Sequence, residues 1–268
     1  MSTYAITGAA SGLGAATKAR LEADGHRVIG IDLHGADVTV DLGTPEGRAE
    51  AVAKVSELAD GKLDGFVPFA GLAPATGRPA RLLVSVNYFG AVELLAGLRP
   101  LLARGDNASV VLVSSNSTTT QPDWPVEITQ ACLAGDEAEA IAVTEAQGEY
   151  AVVQAYPATK AALAYYARSN AAAYMREGIR LNAIAPGLID TPMSQAFPDD
   201  PLVGAGIEQL MATIPAGRAG RPEEVASLVA YLLGPESTYV VGSVLFVDGG
   251  TDAALRATDW PAVWQLGG

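Results

Sequence analysis

Tyr156 and Lys160 stand four residues apart in the run Gln154-Ala155-Tyr156-Pro157-Ala158-Thr159-Lys160. On a helix that spacing lets both side chains face the same way. An unperturbed tyrosine has a pKa near ~10, too high for acid–base work at neutral pH. An ammonium beside it favours the phenolate, so such a pair can exchange a proton with an alcohol or carbonyl oxygen. Taken alone, the same pair also fits surface decoration of a helix. Pro157 predicts that the helix begins here, because its missing N–H is no loss in a first turn. Little else in the chain competes for the chemistry. His26 and His34 are its two histidines and Cys132 its one cysteine. A single cysteine excludes an internal disulfide and a thiolate metal cluster. The histidines read as exposed loop residues, and Cys132 as a small apolar filler. Asp136, Glu137 and Glu139 read as a solvated helix face, so no metal is expected.

A second set of residues has the pattern of a phosphate cradle. Thr7-Gly8-Ala9-Ala10-Ser11-Gly12-Leu13-Gly14 follows an apolar strand and opens a helical pattern. A glycine-rich turn there brings backbone N–H groups close to a pyrophosphate, and the helix N-terminus adds a favourable field. The glycine spacing is GxxxGxG, which by itself also suits an ordinary turn. The next strand ends in Ile29-Gly30-Ile31-Asp32. An acid at that tip can accept hydrogen bonds from the ribose hydroxyls of an adenosine and would repel a 2′-phosphate. No arginine or lysine lies in the turn or directly after Asp32. Taken alone, Asp32 could be a surface acid.

Positioning these residues requires a regular framework. Apolar runs predict strands at 3–7, 27–31, 37–41, 65–69, 108–114, 179–184 and 243–247, and helical patterns lie near 13–24, 45–59, 81–103, 157–176 and 222–233. The runs are nearly continuous, as expected where helices cover both faces of a parallel sheet. Thr44-Pro45 and Arg221-Pro222-Glu223-Glu224 read as helix starts, and Gly178 and Gly234 as stops. Strand–helix alternation over 1–268 predicts one doubly wound α/β domain of Rossmann type, a seven-stranded parallel sheet with helices on both faces. Two stretches break the alternation. Residues 116–155 are too long for a bare loop, and 136–147 within them read as a helix. Residues 188–216 form a second excursion, rich in proline and apolar side chains.

Composition narrows the class further. The chain has 268 residues, half of them hydrophobic (49%), and a net charge of -13. Dispersed acid repels phosphate backbones, which argues against nucleic acid. No basic leader precedes the first strand, and no apolar run reads as long enough for a membrane span, so a soluble cytoplasmic protein with no membrane partner is expected.

The set resembles the short-chain dehydrogenase/reductase family over the whole chain. The glycine turn, Asp32, Phe69-Ala70-Gly71, Asn87 in Val84-Ser85-Val86-Asn87, Ser114-Ser115, Tyr156/Lys160, Asn182-Ala183-Ile184-Ala185-Pro186-Gly187 and Val247-Asp248-Gly249-Gly250 occur in family order. Pro68-Phe69-Ala70-Gly71 stands where the family often has Asn-Asn-Ala-Gly. The long separation of Ser115 from Tyr156 is similar to the bacterial 3α-hydroxysteroid dehydrogenase/carbonyl reductase branch. The resemblance implies NAD as cofactor and a catalytic set of Asn87, Ser115, Tyr156 and Lys160. Tyr156 would be the general acid/base, and Ser115 would hold the carbinol oxygen. Ser114 would be structural. Lys160 would bind the nicotinamide ribose, and Asn87 would support a water linking Lys160 to solvent. The cofactor would lie on Gly8, Ser11, Gly12, Leu13, Gly14, Asp32 and Leu33, with Asp41 and Leu42 flanking the adenine. Ala70, Gly71, Tyr156, Lys160, Pro186, Gly187, Ile189 and Thr191 would complete its site.

The resemblance thus implies hydride transfer between NAD(H) and a secondary alcohol or ketone on a bulky apolar small molecule. Leu188, Met193, Phe197, Leu202, Val203, Ile207, Leu210 and Met211 are candidates to line its pocket, or only to cover the core. A steroid is the first expectation; another cyclic or aromatic alcohol, or a dihydrodiol, is the second. A silent NAD-binding scaffold is a third, disfavoured by the intact catalytic set. In the wider family the tyrosine helix packs against its copy in a second subunit. An insert over that surface implies a homo-oligomer of another kind, a dimer. The insert could also fold over the site as a lid, with Trp124 as an aromatic wall. Trp260 and Trp264 are expected to pack on the body or on a partner subunit.

Overall fold

The computed structural model describes residues 1–259, apart from the side chains of Ala205 and Glu208. Trp260 and Trp264 lie outside the described residues. In chain order the first elements are β1 (Thr3–Thr7), α1 (Gly12–Ala23), β2 (Arg27–Asp32), β3 (Val38–Thr39), α2 (Pro45–Leu58) and β4 (Gly65–Pro68). There follow α3 (Arg81–Leu83), a π-helical segment (Val84–Phe89) and α4 (Gly90–Leu102), which together make one rod, and then β5 (Ser109–Val113). Next come α5 (Ser117–Thr120), α6 (Val126–Ala134), α7 (Glu137–Glu145), a 3-10 turn (Gly148–Tyr150) and the long α8 (Ala151–Met175). The chain closes with β6 (Arg180–Pro186), α9 (Pro192–Gln195), α10 (Gly204–Ala212), α11 (Pro222–Leu233), β7 (Val244–Val247) and α12 (Thr251–Leu255).

All seven strands pair in parallel, in the order β3-β2-β1-β4-β5-β6-β7. The order reverses between β1 and β4, which opens a crevice at the carboxyl ends of the strands. Every residue of β5 and β6 is buried, as the continuous apolar runs require. One face of the sheet shares a core with α2, α4, α6 and α8, and the other packs against α1 and α11.

Four local departures have physical reasons. First, α8 begins at Ala151, so Pro157 sits well inside it rather than in its first turn. The amide missing at Pro157 leaves the Val153 carbonyl without its helical donor, and the Gln121 side chain donates to that carbonyl at 3.4 Å. Second, the insert holds more than the expected helix. The Asp136 carboxylate caps α7 by accepting from the Glu139 N–H at 3.0 Å, and α6 ends at Gly135, left-handed at φ 77°. Third, Glu137 is not a solvated acid. It takes a two-pronged bond from Arg48, at 3.1 Å and 2.5 Å, and Arg48 is 2% exposed. Fourth, His26 is half-buried rather than exposed: its Nδ1 accepts from the Ser2 N–H at 3.2 Å, and its ring stands edge-on to Tyr4.

The rod Arg81–Leu102 also departs from the expectation for apolar runs. An 18-residue window of its 22 residues has a mean hydropathy of 1.3, long and apolar enough to cross a bilayer. Two-thirds of that window (67%) is buried inside the fold, where α4 presents Leu94, Leu95 and Leu98 to the core.

Candidate active site

A cavity of about 500 Å³ opens at the carboxyl ends of β1, β2, β4, β5 and β6. One end of it is built from backbone. Gly8 has φ +67°, and a Cβ there would lie 2.8 Å from the Ala70 nitrogen. A Cβ on Gly14 would lie 2.0 Å from the Gly8 carbonyl oxygen, so the turn closes onto α1 only with glycine at that position. The Thr7 hydroxyl accepts from the Ala70 N–H at 2.9 Å and ties the turn to the loop after β4. Ser11 precedes α1 but makes no side-chain cap, so its hydroxyl and the first helical N–H groups face the cavity unspent.

Asp32 ends β2 and lines the same end. Its carboxylate accepts from the Ala10 N–H at 2.9 Å and from the Leu33 N–H at 2.7 Å. These bonds fix the acid against the glycine turn. Leu33, Asp41 and Leu42 line the cavity beside it. Ala70, Gly71, Pro186, Gly187, Ile189 and Thr191 form its middle wall. All the expected cofactor positions therefore converge on one surface. Gly71 is needed for closeness: a Cβ there would lie 3.3 Å from the Asn87 Oδ1 and 3.6 Å from the Lys160 Nζ.

The reactive groups meet where β5 and α8 adjoin. Tyr156 lines the cavity beside Ser114, and the Ser115 side chain lies close enough to the phenol to favour its ionised form. Lys160 sits one turn on, with Nζ 5.8 Å from the Tyr156 ring centroid and donating to the Val113 carbonyl at 2.9 Å. The Ser114 hydroxyl donates to the Lys160 carbonyl at 2.8 Å, so alternation along β5 sends one serine to pin α8 and the other to the phenol. Burial pulls the Lys160 ammonium down to about 8. Burial pushes the Tyr156 phenol up, against the opposing influence of the Ser115 side chain. In the bare protein desolvation is the larger effect, and the phenol stays protonated at neutral pH.

Asn87 is buried behind the wall, in the π-helical segment. Its Oδ1 accepts from the Leu72 N–H at 2.7 Å, and its Nδ2 donates to the Leu72 carbonyl at 3.0 Å. One N–H and one lone pair of the side chain are thereby committed to the loop after β4.

The far end of the cavity is walled by side chains. Leu188, Met193 and Phe197 take part as expected. Leu202, Val203, Ile207, Leu210 and Met211 do not line it, because the chain turns away after Phe197. Asp200 holds that turn, accepting from the Thr76 N–H and hydroxyl, both at 2.8 Å. Trp124 does not line the cavity either. It packs against the main core and donates its indole N–H to the Thr118 carbonyl at 3.1 Å. Leu72, Arg78, Leu82 and Pro192 line the cavity without having been anticipated. Thr191-Pro192 carried a readable signal, an N-cap with proline at the first helical position. Leu82 lies in the helix expected at 81–103, whereas Leu72 and Arg78 belong to a stretch with no periodicity to mark them. Among the described residues no three histidines, cysteines or acids gather as a metal site.

Comparison with known proteins agrees with this geometry. The family model described as short chain dehydrogenase matches residues 2–126, and the one described as enoyl-(acyl carrier protein) reductase matches residues 126–252. The chain is 42% identical to a 3-alpha-hydroxysteroid dehydrogenase/carbonyl reductase of Comamonas testosteroni, over 97% of this chain and 100% of that one. It is 32% identical to a cis-4-hydroxycyclohexanecarboxylate dehydrogenase of Sinomonas cyclohexanicum, over 92% of this chain and 95% of that one. Among solved structures, a 3-alpha-hydroxysteroid dehydrogenase from Pseudomonas sp. B-0831 complexed with NADH superposes with a TM-score of 0.89 at 46% identity, covering 96% of this chain and 99% of that one.

Proposed function

The chain belongs to the short-chain dehydrogenase family, and from that premise we propose that it interconverts a secondary alcohol and a ketone on a bulky apolar substrate, using NAD(H). A 3α-hydroxysteroid or a similar ring ketone is the substrate class favoured by its relatives. The observation that carries the reading is the phenol of Tyr156 at the wall of a glycine-cradled cavity, one helical turn from the Lys160 ammonium and with Ser115 beside it.

The residues present fit the cofactor. A Cβ at Gly8 or Gly14 would clash with neighbouring backbone and open the turn, and among the described residues Asp32 forms no ion pair with a lysine or arginine. Its charge suits ribose hydroxyls and disfavours a 2′-phosphate. When bound, NAD(H) takes or gives the hydride. In the reduction direction Tyr156 donates its proton to the carbonyl oxygen; in oxidation its phenolate takes the proton of the alcohol. Ser115 holds that oxygen and stabilises its developing charge. Lys160 spends one of its three donors on Val113 and keeps two for ribose hydroxyls. Bound next to a cationic ring, the phenol loses its proton more readily than in the bare site.

The same reading puts the protein in the cytoplasm as a dimer. Its support is the position of the insert. α6 and α7 lie against α8, and the Thr129 hydroxyl donates to the Ala158 carbonyl at 2.9 Å. A second subunit could reach the tyrosine-bearing first half of that helix only by displacing them. Sedimentation at micromolar concentration checks this; a tetramer built on α8 would overturn it.

The deciding experiment is a panel of a 3α-hydroxysteroid, a cyclic terpene alcohol and an aromatic dihydrodiol, each with NAD+ and with NADP+. Oxidation of the steroid, at least about tenfold more efficient with NAD+, is expected, a margin worth ~1.4 kcal/mol. NADH binding without turnover of any member would instead make the protein a scaffold or sensor.

A further inference from the structure

We propose that Arg78 anchors a carboxylate at the end of the substrate remote from the reacting carbon, so that the preferred substrates are apolar ring alcohols and ketones bearing one acid group. The inference rests on the alcohol–ketone reading above and narrows its substrate class.

Arg78 lines the same cavity as Tyr156, on the side walled by Leu72, Leu82, Met193 and Phe197. Those neighbours are apolar, and the half-buried guanidinium beside them gains from a counter-charge that arrives with the substrate. None is supplied by the described residues, since Arg78 is absent from every ion pair they form. This happens in a chain where 30 acids face 17 lysines and arginines.

The guanidinium is held but not used up. Its Nη1 donates to the Ala73 carbonyl, which fixes the plane of the fork. Nε and Nη2 make no hydrogen bond to the described residues, which leaves one edge of the fork open. That edge matches a carboxylate in the two-bond arrangement that arginine favours and lysine cannot copy. The loop carrying Arg78 is also steadied from outside. Asp200 accepts from both the N–H and the hydroxyl of Thr76, and from the Leu202 N–H at 2.8 Å. That acid is therefore committed elsewhere. Glu145 and Glu149 line a shallower cleft on the other side of Arg78, beyond ion-pair distance. With the Asp200 carboxylate they are the competing sources of negative charge among the described residues.

The test compares a 3α-hydroxysteroid carrying a side-chain carboxylate with its methyl ester, and reads the ratio of their kcat/KM values. In the wild type the acid should lead by at least about tenfold, mostly through KM, and the lead should shrink as salt is added. Arg78→Leu should bring the ratio to about one, and Arg78→Lys should leave it between the two. A wild-type ratio near one would overturn the proposal while leaving the alcohol–ketone reading intact, and would assign Arg78 to neutralising Glu145 and Glu149. So would a ratio unchanged in Arg78→Leu. Should neither compound turn over, the alcohol–ketone reading fails for steroids. Calorimetric titration of the acid into the NADH-loaded protein then decides the anchor alone: tighter binding of acid than ester that is lost in Arg78→Leu supports it, and equal binding refutes it.

Discussion

At the end of the cavity formed by β1, β2 and α1, the wall is main chain. Gly8 and Gly14 approach neighbouring backbone so closely that no Cβ fits, and Asp32 is bolted to the turn by the Ala10 N–H at 2.9 Å. At the other end the wall is made of Leu72, Leu82, Met193 and Phe197, carried on loops and short helices. The first kind of wall tolerates few residues and serves one ligand. The second can change volume and polarity by side-chain substitution while the backbone stays put. Reaction and cofactor are thus written into backbone constraints, whereas the substrate is written into side-chain shape. Each substitution below should disturb one end and spare the other, and the effects run from large to small.

Tyr156→Phe should have the largest effect. On the proposed function the phenol is the cavity's acid–base group, and positioned acid–base catalysis is worth roughly 10²–10⁴ in rate. A loss of kcat of about 10³, or ~4 kcal/mol, is expected in both directions, with NADH affinity kept within about threefold. The pH dependence carries a sign. Because burial holds the phenol protonated, oxidation should speed up as pH rises toward its deprotonation, while reduction should hold at low pH and fall at high pH. Retention of more than a tenth of wild-type kcat in Tyr156→Phe would remove Tyr156 from the mechanism.

Asp32→Ala should come next and touch the cofactor end alone. Removing the charge admits a 2′-phosphate, so the NAD+ over NADP+ preference in kcat/KM should shrink by at least about tenfold, or ~1.4 kcal/mol. Asp32→Asn separates two contributions. It keeps an acceptor for the Ala10 N–H but not the charge, so it should relax cofactor choice with less loss of NAD+ affinity than Asp32→Ala. Unchanged preference in both would sink the assignment of Asp32 to ribose recognition.

The same contrast explains what could be read from residue order. The seven strands and the residues that gather at the glycine-lined end of the cavity were legible because a doubly covered sheet demands continuous apolar runs and a close turn demands glycine. The substrate end was legible only up to Phe197. Leu202, Val203, Ile207, Leu210 and Met211 had the right chemistry, but the turn held by Asp200 and Thr76, more than a hundred residues apart in sequence, takes them elsewhere. Leu72 and Arg78 had no pattern to announce them. Pro157 misled about the start of α8, because a glutamine thirty-odd residues upstream supplies the donor that makes an internal proline tolerable. The direction of the Tyr156 shift depends on how deeply the pair is buried, which residue spacing does not encode.

Phe197→Ala tests the far wall. Deleting a half-buried ring from the cavity should raise KM for a steroid about tenfold, a loss of ~1.4 kcal/mol, and leave NADH affinity unchanged. Tightened or unaltered steroid KM would mean that the substrate sits elsewhere in the cavity, and a matching loss of NADH affinity would erase the distinction between its two ends.

The smallest effect on turnover should come from Glu137→Gln, although it strikes a buried ion pair. Arg48 is 2% exposed and joins three elements: it pairs with Glu93 of α4 at 2.7 Å, grips Glu137 of α7 with both arms, and donates to the Ser85 carbonyl in the π-helical segment at 3.3 Å. The amide side chain would keep the shape but weaken two charge-assisted bonds, and a buried donor left poorly matched costs roughly 1–3 kcal/mol. Glu93 remains to compensate part of this, so the lower half of that range is expected. In a domain of this size each kcal/mol lowers Tm by about 2–4 °C. Glu139→Gln is the control, since Glu139 is exposed on the same helix and should leave Tm unchanged. Steroid and NAD+ KM should stay within about twofold, because the insert touches the outer face of α8 and Trp124 faces the core rather than the cavity; the ~0.4 kcal/mol this allows is less than one ordinary hydrogen bond. A several-fold rise in steroid KM with unchanged Tm would reverse the assignment and make the insert part of the substrate wall.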